Sequence, residues 1–221
     1  MANAFPPRHP DEARTLTKER LQKNPSMSTV IIPDAAKLRI TLVDLNPPPW
    51  REVDVPLSMT LKGLHNTIQA AFLWFDSHLW EFELAGRRYG LPFDEDFGGD
   101  KVFNANTARL TKLRDSGIAE FLYTYDMGDN WEHHIEVLDL FEAPTGARLP
   151  AFLNGKWRAP PEDVGGTSGF ELFLQAVANP AHEDHDHLTE WYGRPFNRED
   201  IEPDIVKIQI ARIAAMRRPK K

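Results

Sequence analysis

The order of hydrophobic periodicities in this chain predicts an α+β fold, a mostly antiparallel sheet packed against helices with a helical C-terminal part. Three observations carry that reading. Two alternating runs, Lys37–Leu45 and Trp50–Val55, flank the break Pro47-Pro48-Pro49. A helical stripe follows at Leu61, Leu64, Ile68, Ala71 and Phe72. A second strand pair, Glu120–Tyr125 and Trp131–Phe141, is joined by the turn Asp126–Asn130, and helices close the chain.

Residues 1–33 contain several prolines and polar residues and read as a loosely attached extension, with a short helix expected within it from Asp11 to Gln22. Residues 34–221 read as one α+β domain with C-terminal helices. In the first strand Leu38, Ile40 and Leu42 alternate with Arg39, Thr41 and Val43. The second is antiparallel to it, with Trp50, Val53 and Val55 as its apolar positions, and Pro56 ends it. Ser58 or Thr60 caps the helix, whose edge carries His65 and Gln69 as surface neighbours. His78–Leu84 alternates as a strand. Arg87–Phe103 reads as a loop, Thr107–Leu113 as a short helix or a strand, and Pro144–Ala159 as irregular. Helices are expected over Gly169–Ala178, Glu183–Trp191 and Pro203–Met216, the first with Leu172, Phe173, Ala176 and Val177 as its buried stripe.

Composition excludes some chemistry. The 221 residues include no cysteine, which removes disulfides, thiolate nucleophiles and sulfur-ligated zinc and is compatible with a reducing cytosol. No apolar run approaches the ~20 residues that cross a bilayer, and Met1–Asn24 lacks the apolar core of a signal peptide, so the expectation is a cytoplasmic protein without a membrane partner. The formal net charge of −7 is unevenly placed, with acids crowded between His182 and Asp204 and only bases after it. Nucleic-acid binders show a basic field; this chain has a basic tail, Arg217–Lys221, at the end of a helix.

The stretch Tyr125–Val137 concentrates polar chemistry in a hairpin. Strand alternation puts Trp131, His133 and Ile135 on one face, so His133 points inward if the other two do, and Asp126 or Asp129 is its expected partner. His65, His78, Asp126, Asp129 and His133 offer imidazole and carboxylate ligands suited to zinc, manganese or iron. The same residues have a structural explanation: acids, Gly128 and Asn130 suit a tight turn, and the histidines can be satisfied inside a core. The loop Pro160–Gly166 offers Glu162 and Asp163 either to a ligand or to backbone amides, and is expected to meet the hairpin. His182, His185 and His187 also invite a metal, although the surrounding acids suit a solvated helix start. The standard His-Glu-Xaa-Xaa-His spacing, a phosphate-cradling loop and a nucleophile elbow are all missing.

Several pieces in order resemble the plasmid pRiA4b ORF-3-like family: Trp50-Arg51, Leu64-His65 with Ile68-Gln69, Phe72 with Trp74, His78-Leu79 with Phe82, Tyr125-Asp126 through Gly128-Asp129-Asn130-Trp131-Glu132-His133, Pro160-Pro161-Glu162-Asp163 with Gly165-Gly166, and Glu190-Trp191 with Gly193. The resemblance covers roughly residues 36–210 and implies a compact α+β domain. Its members have been labelled transposon-resolvase-like or insertion-element passenger proteins. A serine resolvase needs an arginine-supported serine on an α/β scaffold and a basic DNA-binding unit, and neither is visible here. Many relatives carry cysteines where this chain has Ala159 and Val164, so no cysteine-dependent role carries over.

The reading that results is a non-enzymatic interaction module, binding a protein or small-molecule ligand beside the hairpin with no required cofactor. Its binding residues are expected among His65, Gln69, His78, Tyr125, Asp126, Asp129, Trp131, His133, Glu162 and Asp163. The alternatives are a metal-dependent hydrolase or nuclease-like enzyme using the His/Asp set, and a DNA-associated protein of a mobile element.

Overall fold

The computed structural model describes residues 32–91 and 101–217. The expected helix at Asp11–Gln22 and the basic residues 218–221 lie outside them. Strands β1 (Ala35–Leu42) and β2 (Trp50–Pro56) lead into helix α1 (Leu61–Phe72), then β3 (Trp80–Leu84), β4 (Arg87–Gly90), β5 (Val102–Asn104) and helix α2 (Thr111–Asp115). Next come β6 (Glu120–Tyr125), β7 (Trp131–Phe141), β8 (Ala151–Lys156) and helices α3 (Gly166–Ala178), α4 (His185–Tyr192) and α5 (Pro203–Met216). The strands form one sheet in the order β5-β4-β3-β6-β7-β1-β2-β8, antiparallel except between β4 and β5. The α+β class and the antiparallel sheet agree with the periodicities.

The register aligns inward residues in rows across the sheet. One row runs Tyr89, Phe82, Tyr123, His133, Leu42. The next runs Phe121, Ile135, Ile40, Arg51, Gly155. Thr60 caps α1 by accepting from Gly63 N at 3.1 Å, and α1 packs against β2 and α5. No helix among the described residues is long and apolar enough to cross a membrane.

Several expectations need correction. Arg87–Phe103 is not all loop: Ala85 and Gly86, both at positive φ, make a two-residue turn that returns β4 along β3, and Tyr89 enters the core. Pro144–Ala159 contains β8, hidden in the sequence by Gly155. A Cβ there would lie 2.7 Å from Arg51 Cδ and 2.9 Å from Trp50 O, so the glycine is what lets the arginine cross the strand. The inward set of β2 is Arg51, Val53 and Val55; Trp50 faces the other way, its ring 4.1 Å from the Arg39 guanidinium carbon. The undecided segment 107–113 resolves into a single bridge, Thr60 to Arg109, and the start of α2. In α3 the buried positions are Gly166, Phe170, Phe173 and Ala176, while Leu172 is exposed.

Ile40 is fully buried between β2 and β7, so Ile40→Ala leaves a cavity and costs about 2–5 kcal/mol in urea unfolding. Lys207→Ala, at an exposed pair with Asp204, shifts stability by less than about 0.5 kcal/mol in the same assay.

Candidate functional site

The hairpin builds its own turn. Asp126 and Asn130 occupy the left-handed region, and Asn130 N donates to Asp126 O at 2.6 Å. Asp126 Oδ1 accepts from Gly128 N at 2.9 Å and from Asp129 N at 3.3 Å, the side-chain turn that aspartate favours. The Pro160–Gly166 loop does meet this hairpin: Gly165 N donates to Asp129 Oδ2 at 3.2 Å, and Gly166, at φ 67°, approaches so closely that a Cβ would sit 3.1 Å from Asp129 O. Asp129 is thus a loop anchor.

The three histidines expected to share one site go separate ways. His65 is fully buried, not on the surface edge of α1, because that edge faces Tyr123. Its Nε2 is 2.7 Å from Asp76 Oδ1. A carboxylate only accepts, so the proton belongs on Nε2 and Nδ1 accepts from Tyr123 OH at 2.8 Å. Gln69, likewise buried, donates to the same hydroxyl at 3.1 Å and accepts from Asp76 N at 2.9 Å. Burial first, with Lys62 adding to it, pushes the His65 pKa down to about 4. Every polar group in this chain of contacts has a partner, which is the signature of scaffolding.

His133 points inward, as the alternation predicts, but neither Asp126 nor Asp129 serves it. Its Nδ1 donates to Trp131 O at 3.0 Å, and Nε2 is buried without a partner. Phe72, Trp74 and Tyr123 surround the ring at 5.0–5.4 Å between centroids. Complete burial pushes its pKa down to about 3. Trp131 is core beside it and stacks toward Trp74.

His78 alone meets several acids. Its Nε2 is 2.9 Å from Asp163 Oδ1, 3.6 Å from Asp126 Oδ2 and 3.8 Å from Glu162 Oε2, without the alignment of a hydrogen bond to any of them. Among the described residues, His78, Asp126 and Asp163 are the group whose ligand atoms converge enough to hold a metal. His65, Asp129 and His133 fall outside it. The His182–His187 run does not converge either: His182 Nδ1 accepts from Asp184 N, and His185 Nδ1 donates to Ala176 O.

Behind this cluster lies a cavity of about 410 Å³. Trp74, Phe75, Pro160, Pro161 and Trp191 make its apolar walls, Arg51, Arg158 and Arg194 its basic side, and Glu162, Asp163 and Glu202 its acids. The α1–β3 turn is zipped to the loop over it: Trp74 Nε1 donates to Pro160 O at 2.9 Å, Phe75 N to Glu162 Oε1 at 2.7 Å, and Tyr125 OH to the same oxygen at 3.0 Å. Ser77 N donates to Tyr125 OH at 3.0 Å, and burial, then Glu162, pushes the Tyr125 hydroxyl pKa up. Of the residues expected to bind, only Glu162 and Asp163 line this cavity; Tyr125, Trp131 and His133 stand behind its wall, and Gln69 borders a separate groove between α1 and α5. Arg51, Arg158 and Trp191 also line the cavity and are not among the residues expected to bind. Period two did place Arg51 on the face of Val53 and Val55, which was the available signal.

Comparisons with known proteins agree with this architecture. The chain matches the family model described as plasmid pRiA4b ORF-3-like protein over residues 34–205. It is 39% identical over 163 residues to the uncharacterised protein y4hQ of Sinorhizobium fredii (strain NBRC 101917 / NGR234), covering 74% of this chain and 83% of that one. The crystal structure of MM3350, a protein of unknown function from Methanosarcina mazei Go1, is similar with a TM-score of 0.69 and 32% identity, over 77% of this chain and 95% of that one.

The buried histidines set a pH dependence. Both folded-state pKa values lie below the ordinary 6.5, so the unfolded chain takes up protons first as pH falls. Stability is full above about pH 6.5 and declines below it, each histidine contributing a loss of roughly 2 kcal/mol by about pH 5. Urea midpoints at about pH 7 and pH 5 measure the decline, and His133→Phe removes a substantial part of it; an unchanged decline in that variant contradicts the assignment.

Proposed function

Because the chain belongs to the plasmid pRiA4b ORF-3-like protein family, whose matched relatives are themselves described only as uncharacterised or of unknown function, we propose its role from its own site: a binding domain that takes a small ligand in the cavity under the Trp74–Pro160 contact. The observation that supports this reading most is the cavity itself. It has the size of small-molecule sites, and it joins an apolar wall to charged groups that can orient a ligand. Phe75, exposed at 78%, and Trp191, exposed at 43% with its ring against Phe173, leave aromatic surface open at its edge. The hydrogen bonds between the α1–β3 turn and the loop hold its rim in place before a ligand arrives, which lowers the ordering cost of binding.

A second reading is favoured by one observation, the convergence of His78, Asp126 and Asp163 beside that rim. One imidazole and two carboxylates would hold zinc, manganese or iron, and a metal there supports hydrolysis by polarising a substrate or a bound water.

Two measurements separate the readings. A fragment set screened by ligand-observed NMR gives binders that weaken by roughly tenfold or more in Phe75→Ala/Trp191→Ala, both exposed positions where folding is not at stake; binders indifferent to that pair count against the cavity. Metal analysis of protein purified without chelators gives no stoichiometric metal. One equivalent that disappears in His78→Ala replaces the binding-domain reading with the metal-dependent one.

A further inference from the structure

Arg51 is the most unusual polar residue in the chain. It is 1% exposed, and no carboxylate pairs with it among the described residues. Nε donates to Ala71 O at 2.8 Å, and Nη1 is shared among Trp50 O at 2.8 Å, Lys156 O at 3.1 Å and Trp157 O at 3.0 Å. Nη2 has no hydrogen-bond partner among the described residues. The Phe72 ring, 4.9 Å from Cζ, adds a weak cation–π contact. Carbonyls satisfy N–H groups but leave the charge in place, and a buried charge without a counterion is costly.

The surroundings aggravate this. Burial and the neighbouring Arg158 push the Arg51 pKa down to about 9. Arg158 is served by Glu202 at 3.1 Å, by Asp200 at 3.8 Å and by the Tyr192 hydroxyl at 3.2 Å. Glu202 is itself held by Arg194 at 2.7 Å, so one carboxylate answers two guanidiniums and none is left for Arg51. Glu162 and Asp163 are engaged by Tyr125, Phe75 N and His78.

Resting on the binding-domain reading, we infer that the cavity recognises a small carboxylate with an apolar or aromatic body, its anionic group seated on Arg51 Nη2 and its body along Trp74 and Trp191. Arg51 lines the cavity, and Nη2 is the one guanidinium nitrogen not already engaged by a carbonyl. One unoccupied guanidinium nitrogen beside a second guanidinium suits a monoanion. A phosphate, with more charge and more oxygens, calls for a fuller set of donors. Of the acids in the lining, Glu202 is neutralised by Arg158 and Arg194, and Glu162 and Asp163 disfavour an anion near them, which leaves Arg51 as the place for the carboxylate.

The test compares phenylacetate with its neutral isostere phenylacetamide on the wild-type chain, by ligand-observed NMR titration. Phenylacetate binds saturably in the millimolar range or tighter, and the amide at least roughly tenfold weaker. Equal affinities that both fall in Phe75→Ala/Trp191→Ala leave the cavity standing and overturn the carboxylate inference. So does tighter binding by inorganic phosphate, or no binding of phenylacetate up to about 10 mM. Arg51→Met, if folded by circular dichroism, loses the preference for the acid over the amide, and retention of that preference overturns the role of Arg51. If the variant does not fold, the acid–amide comparison on wild type decides.

Discussion

The burial of a single guanidinium organises one end of this molecule. Arg51 sits on the inner face of the sheet, in the row that contains Ile135 and Ile40, where a hydrophobic residue would be the ordinary choice. Its bonds tie four backbone carbonyls: the C-terminal turn of α1 through Ala71, its own strand through Trp50, and the end of β8 through Lys156 and Trp157. Those are the segments from which the α1–β3 turn and the Pro160 loop depart. Gly155 is required so that the side chain can cross β8, and Phe72 packs over the group. A charge placed here therefore fixes the geometry of the cavity wall as well as its polarity.

The histidines show how little residue type alone decides. His65 and His133 are both fully buried and share the neighbour Tyr123, yet each is kept neutral by desolvation and serves packing. His65 closes a chain of bonds from Gln69 to Asp76, a residue eleven positions along the sequence that nothing in the pattern links to it. His133 is forced inward by strand register, because it stands between Tyr123 and Leu42 in the central row. His78, in the turn before β3 and partly exposed, is the one that meets several carboxylates, and that depends on a loop folding back from Asp163.

Elements with a clean period were legible in the sequence. Both strands of the Tyr125–Trp131 hairpin and helix α5 end where alternation and helical spacing say they should, because each buries one face against a continuous core. What escaped was short or interrupted. β4 and β5 are four and three residues long, and β8 contains the glycine that Arg51 demands. The cavity was legible only in part: Glu162 and Asp163 line it, and the loop that carries them meets the hairpin as expected. Arg51 escaped because a buried arginine breaks the apolar alternation that marks an inward face, and the apolar positions Trp50, Val53 and Val55 do not share one parity. Trp191 and Arg158 reach the cavity from α4 and the segment after β8, long-range placements that no local spacing encodes.

The hairpin that concentrates so much polar chemistry is thus support for the loop and the aromatic wall beside it. Its acids make the turn and anchor the loop, its tyrosine fixes Glu162, and its tryptophan and histidine back the aromatic wall. Such crowding is expected where a loop must be held rigidly against the end of a hairpin, since each exposed backbone group at the junction needs a partner. The cavity beside it gathers residues with incomplete partners: Phe75 and Trp191 with exposed aromatic surface, and Arg51 with an unneutralised charge. Satisfied polar groups explain the scaffold. His133 Nε2 and His78 Nε2 stay without a hydrogen bond outside the cavity lining, whereas Arg51 within that lining keeps a charge that no carboxylate answers among the described residues.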